Sequence, residues 1–92
     1  MDITTAKALV KRALQELEVV LRDKENTLPR GQLLRFREEL ERMHQELESG
    51  ALPPKDMRYV GMAHVIVDSW PLNTVLGPLI VKAEDAYINA GA

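Results

Sequence analysis

An all-α fold, a compact four-helix bundle, is what this sequence predicts, and three observations predict it. Apolar residues recur at steps of three and four in separate segments, the spacing of one helix face. Proline and glycine fall between those segments, at Leu28-Pro29-Arg30-Gly31, Ser49-Gly50, Pro53-Pro54, Trp70-Pro71 and Gly77-Pro78, where they punctuate rather than interrupt helices. Aromatic residues are 4% of a chain that is 46% hydrophobic, so the core must be aliphatic, and Leu and Ala also favour helix. The 92 residues are read as one domain, long enough to bury roughly 60–65% of the unfolded surface.

The first helix is expected over about residues 5–23. Ile3, Ala6, Leu9, Val10, Ala13, Leu14, Leu17, Val20 and Leu21 form its apolar face, and Thr4 or Thr5 is placed to cap it. The second is expected over about 31–49. Leu33, Phe36, Leu40, Met43 and Leu47 make its stripe, with Leu34 widening it. Its other face is dense in charge, and pairs such as Glu38–Arg42, spaced i,i+4, contribute about 0.3–0.5 kcal/mol each. Gly50 is free to take the left-handed cap.

The third helix is expected over about 55–69, started by Pro54. The stretch Val60-Gly-Met-Ala-His-Val-Ile-Val67 is almost free of charge. A helix apolar nearly all round is a buried one, so this segment is expected at the centre of the bundle, with Gly61 marking the close approach of a neighbour. The fourth helix is expected over about 78–90, because a proline inside a helix costs about 3 kcal/mol. Its inner face is Leu79, Ile80, Ala83, Ala86 and Tyr87, with Lys82, Glu84 and Asp85 facing out. Leu72 to Leu76 is left as either a loop or a short helical turn.

The formal net charge of -2 argues against a nucleic-acid binder, which needs a basic face to replace phosphate counterions, and equally against a polybasic membrane anchor. The chain has no cysteine, hence no disulfide framework and no thiolate chemistry. There is no charged n-region followed by an apolar stretch at the N-terminus, and no uncharged run approaches the 18 or so residues of a membrane span. A cytoplasmic protein is expected.

No catalytic motif is present. The carboxylates repeat with the charge pattern and read as a solvated face rather than as groups converging in a pocket. His44 with Glu48 and His64 with Asp68 are i,i+4 pairs. Two such pairs could surround a metal, but the spacing lacks a tight local ligand signature, so structural pairing is expected, with no metal and no cofactor. Tyr59 and Trp70 have apolar bodies and polar tips, which suit them to interfaces when exposed and to packing when not. Glu38, Glu41, Gln45 and Glu48 run down one helix face and could meet a basic partner.

Taken in order, an amphipathic first helix, the Leu33–Leu47 helix, the segment from Arg58 to Val67 with Gly61 and Ala63, and a final Ala-x-x-Ala-Tyr ending at Ala83 to Tyr87 resemble one family. They look like the small helical immunity proteins of type VI secretion systems, especially those that neutralise NAD(P)+-degrading toxins. The resemblance covers most of the chain. It implies a non-enzymatic protein that binds a cognate effector toxin domain, NAD(P)+- or nucleotide-acting, and covers its active site. Glu38, Glu41, Glu48, Tyr59, Asp68 and Trp70 are then the candidate toxin-contacting residues. A helical self-association or adaptor module is the alternative, motivated by the heptad-like Leu33–Leu47 run; a homodimer would extend the core that one chain can barely build.

Overall fold

Helix α1 (Ile3–Arg22) has a long neighbour on each side: α2 (Arg30–Ser49) and α4 (Leu76–Asn89), while the short α3 (Met62–Ser69) packs on α4. The computed structural model describes residues 1–71 and 74–91, and its regular elements are all helical. Both long neighbours run antiparallel to α1. Arg37 of α2 pairs with Glu18 near the end of α1, and the Met1 ammonium donates to the Asn89 carbonyl at the far end of α4. The radius of gyration is 12.7 Å, close to the value of about 12 Å for a compact chain of this length.

The two long helices of the N-terminal half form where the apolar spacing places them. Ala6, Val10, Ala13 and Leu17 of α1 face Leu33, Phe36, Leu40, Met43 and Leu47 of α2, and all are buried. The capping differs from expectation. Asp2, not a threonine, stands at the start of α1, and no side chain caps it; Thr5 Oγ1 instead donates to Asp2 at 3.4 Å. Gly50 ends α2 with φ 76° and donates its N–H to Glu46 O at 3.0 Å. The expected Glu38–Arg42 pair is replaced by Arg42 with Glu39 and Glu46.

The third segment departs from expectation. Residues 55–61 are not part of α3: Lys55–Met57 form a 3-10 turn, and Gly61 takes φ 88° immediately before the helix. That left-handed backbone needs glycine. A Cβ there would meet only Tyr59 at 3.8 Å, so conformation and not space demands it. Nor is α3 the buried centre of the bundle. Only Met62 and Ile66 in it are buried, because eight residues lying on one neighbour have one inner face, whatever their hydropathy. The central place belongs to α1.

The close approach occurs instead at Gly77 in α4. A Cβ there would lie 2.8 Å from Thr74 Oγ1 and 3.2 Å from Ile66 Cγ2. Helix α4 begins at Leu76 rather than at Pro78. Pro78 falls in its first turn, where a missing N–H breaks no helical bond. Helix α4 buries Leu76, Gly77, Ile80, Ala83, Glu84, Ala86 and Tyr87. Glu84, expected to face solvent, is only 2% exposed. Leu72 and Asn73 lie outside the described residues, so the choice between loop and turn is answered only from Thr74 on: Thr74 and Val75 are non-helical and Leu76 opens α4. No helix among the described residues is long and apolar enough to cross a membrane.

Candidate interaction surface

Helix α3 is held at both ends by side chains from other helices. At its start, Gly61 has no side chain to cap the free N–H groups of the first turn. The Glu84 carboxylate supplies the cap from α4: the Met62 N–H donates to Oε1 at 3.1 Å and the Ala63 N–H to Oε2 at 2.8 Å. A carboxylate at this end also opposes the positive pole of the helix. At its finish, Trp70 is 5% exposed. Its ring stacks at a tilt on Phe36, with centroids 5.7 Å apart, and its indole N–H donates to Gln32 Oε1.

The approach to α3 is fixed by Arg58. Its Nε donates to Pro53 O at 2.8 Å, and its Nη1 lies within bonding distance of Tyr87 O, Ile88 O and Ala90 O at 3.3, 3.2 and 2.7 Å. The guanidinium therefore caps the negative end of α4 while gripping its own loop.

So anchored, the segment presents apolar side chains outward. Six large hydrophobic residues are exposed among the described residues, and three of them belong to this segment: Met57 (71%), Tyr59 (69%) and Val67 (70%); Val75 stands apart, at the entrance to α4 beside the end of α1. Scattered exposed apolar residues are ordinary, whereas grouped ones mark an interaction site. Clefts flank the ridge. One of about 300 Å³ lies between α2 and α3, lined by Gln32, Arg35, Phe36, Val60, Met62 and Val65 among others. One of about 210 Å³ lies between α3 and α4, with Ile66, Val67, Trp70, Pro71, Gly77, Pro78 and Val81 in its walls.

The acidic stripe is on another line of the bundle. Glu38, Glu41, Gln45 and Glu48 are all exposed on the outside of α2, whereas the α2 residues at the α3 cleft are Gly31, Gln32, Arg35, Phe36 and Glu39. Arg37 stands 3.7 Å from Glu41, and His44 stands 3.6 Å from Glu48. His64 pairs with Asp68 at 3.1 Å on the outer side of α3. Among the described residues no three His, Asp or Glu side chains are grouped so as to hold a metal ion.

Of the six residues singled out from sequence, Glu38, Glu41, Glu48, Tyr59 and Asp68 are exposed, and Tyr59 and Asp68 belong to the third segment. Trp70 is a core residue, not a surface anchor: both its body and its N–H are used inside the protein. Reading the sequence missed Met57, Val67 and Glu84. Glu84 carried a signal, since Ile80, Ala83, Glu84 and Tyr87 have the i, i+3, i+4, i+7 spacing of one face, which places the carboxylate on the buried stripe.

A second polar cluster ties α2 to α4. Tyr87 donates its O–H to Glu46. Arg42 Nη1 donates to both Glu46 oxygens at 3.2 Å and lies 3.4 Å from the Tyr87 oxygen, while its Nη2 donates to Glu39 at 2.7 Å. The hydrogen bond to Glu39 is the main reason that the Arg42 pKa is raised. Burial, then the bond to Glu46, raises the Tyr87 phenol above its ordinary value of 10.0. The folded state thus holds the phenolic proton more tightly than the unfolded chain does. Its contribution is complete below about pH 10 and is lost as pH rises through the folded pKa. Tyr87→Phe is expected to cost about 1–2 kcal/mol at neutral pH. The gap between the two proteins in urea unfolding should narrow above pH 10.

Comparison of the chain with known protein families finds no match, and none of the curated proteins matches its sequence.

Proposed function

We propose that this protein is an immunity-type inhibitor that docks the α3 ridge onto a cognate toxin domain. The observation that carries the binding role is the exposure of Met57, Tyr59 and Val67 along one anchored segment. An apolar centre with charged surroundings has the anatomy of a protein interface. A ridge fixed in advance by Glu84, Arg58 and Trp70 loses little entropy on docking. The nature of the partner rests on the resemblance to type VI immunity proteins. A toxin that acts on NAD(P)+ or another nucleotide needs a basic cleft, and the acidic outside of α2 would steer such a partner in rather than touch it.

The test is co-expression of this chain with the toxin domain encoded beside its gene. Growth should be restored, and Tyr59→Ala with Val67→Ala should weaken the purified complex by tenfold or more without lowering thermal stability. Charge reversal at Glu38, Glu41 and Glu48 should slow association and reduce its dependence on salt. Failure to protect, or full affinity after both ridge substitutions, rejects the reading.

The same ridge would serve self-association, which is the second reading. The Leu33–Leu47 stripe no longer motivates it, because those side chains are buried within one chain. Sedimentation at micromolar concentration separates the two: a stable oligomer that Val67→Asp dissolves favours self-association.

A further inference from the structure

We propose that the cleft between α2 and α3 is a binding site for a small monocarboxylate with a compact apolar body, a role separate from the docking of a toxin. Phe36, Val60, Met62 and Val65 supply apolar walls, and Gln32, Arg35 and Glu39 supply the polar groups. Two acceptors among these polar groups are engaged. Gln32 Oε1 takes the Trp70 indole N–H, and Glu39 Oε2 takes Arg42 Nη2 at 2.7 Å.

Arg35 is different. It is exposed, lines the cleft, and makes no ion pair or hydrogen bond among the described residues. The donors that the cleft has left to offer are the guanidinium of Arg35 and the amide N–H2 of Gln32. Their complement is an acceptor carrying negative charge, and a guanidinium fork meets a carboxylate through two parallel bonds.

Charge and size narrow the ligand. One unpartnered cation matches one negative charge. The Glu39 carboxylate, although bound to Arg42, would oppose a second. Inorganic phosphate would turn oxygens toward Phe36, Val60 and Met62, which have no donors for them. A volume of about 300 Å³ stands at the lower end of small-molecule sites, enough for one ring or a short chain. Hexanoate and phenylacetate have this chemistry.

The experiment is an amide NMR titration of the whole chain with hexanoate, phenylacetate, hexanamide and inorganic phosphate. Both carboxylates should give saturable shifts at Gly31, Gln32, Arg35, Gly61 and Val65. Hexanamide and phosphate should bind at least about tenfold more weakly, and Arg35→Ala should reduce hexanoate affinity by about tenfold, with Arg35→Lys between. Arg35 is exposed, so these variants leave the core untouched. The proposal is overturned by any of four results: no saturable shift at these residues, hexanamide binding as well as hexanoate, phosphate doing so, or Arg35→Ala binding as wild type does. None of these results bears on protection against a toxin, so the two proposals fail separately.

Discussion

Replacing Glu84 by alanine is expected to destabilise the protein by about 2–4 kcal/mol, since a buried N–H left without an acceptor costs about 1–3 kcal/mol and the half-buried Ala63 N–H loses its acceptor as well. Met62 and Ala63 give their N–H groups to its two oxygens at 3.1 and 2.8 Å, and Gly61 before them has nothing to substitute. Glu84→Gln keeps one acceptor but turns an N–H2 toward the other donor, so about half of that loss is expected. Urea unfolding measures both. Amide exchange separates this account from general core damage: α3 should lose protection at Val65 and Ile66 before α1 does. A loss below about 1 kcal/mol, or equal exposure of all helices, would show that the cap is dispensable.

Trp70→Ala should be as severe, at about 3–5 kcal/mol, the range for removing a large buried ring. The indole fills the space between α3, α2 and the first turn of α4, where it stacks on Phe36 and lies near Gly77. Trp70→Phe retains most of that volume but leaves Gln32 Oε1 without its donor, for about 1 kcal/mol. The pair of variants discriminates between a packing and a recognition role for this residue. A surface anchor could be truncated with little change in denaturation midpoint. A core residue cannot, and 5% exposure puts Trp70 in the core. Thermal or urea denaturation of both variants checks this.

The long elements were legible because their signal is local. The spacing of Ala6, Val10, Ala13 and Leu17, and of Leu33 through Leu47, reports one buried face over about three and about four turns, and Gly50 reports the end of α2. The third segment was misread because hydropathy alone does not say how many neighbours a helix has. Val60 to Val67 is apolar enough for a buried centre, yet Val67 faces solvent and Gly61 breaks the run by its backbone. Glycine is equally ambiguous from sequence: Gly61 serves conformation and Gly77 serves proximity, and only their neighbours tell them apart. The exposed ridge was half visible. Tyr59 and Asp68 are singled out by their chemistry; Val67, being apolar, is placed inward by rule, and Met57 is given no place. Glu84 was assigned outward by its charge, although its position on the α4 stripe argued the reverse. That stripe is the better guide, because a buried carboxylate becomes tolerable once two backbone donors meet it.

The guanidinium of Arg58 carries a kinetic implication. Its bonds to α4 join residues 29, 30 and 32 positions apart, so they can close only after the last turn of the chain has wound up. Until that moment residues 50–61 have no regular hydrogen-bond ladder of their own beyond one 3-10 turn, and closing a long loop must precede any reward from the contact. The outward-facing segment is therefore expected to be fixed late in folding. A half-folded chain would leave residues 57–61 unanchored, and only the finished molecule would hold them in place.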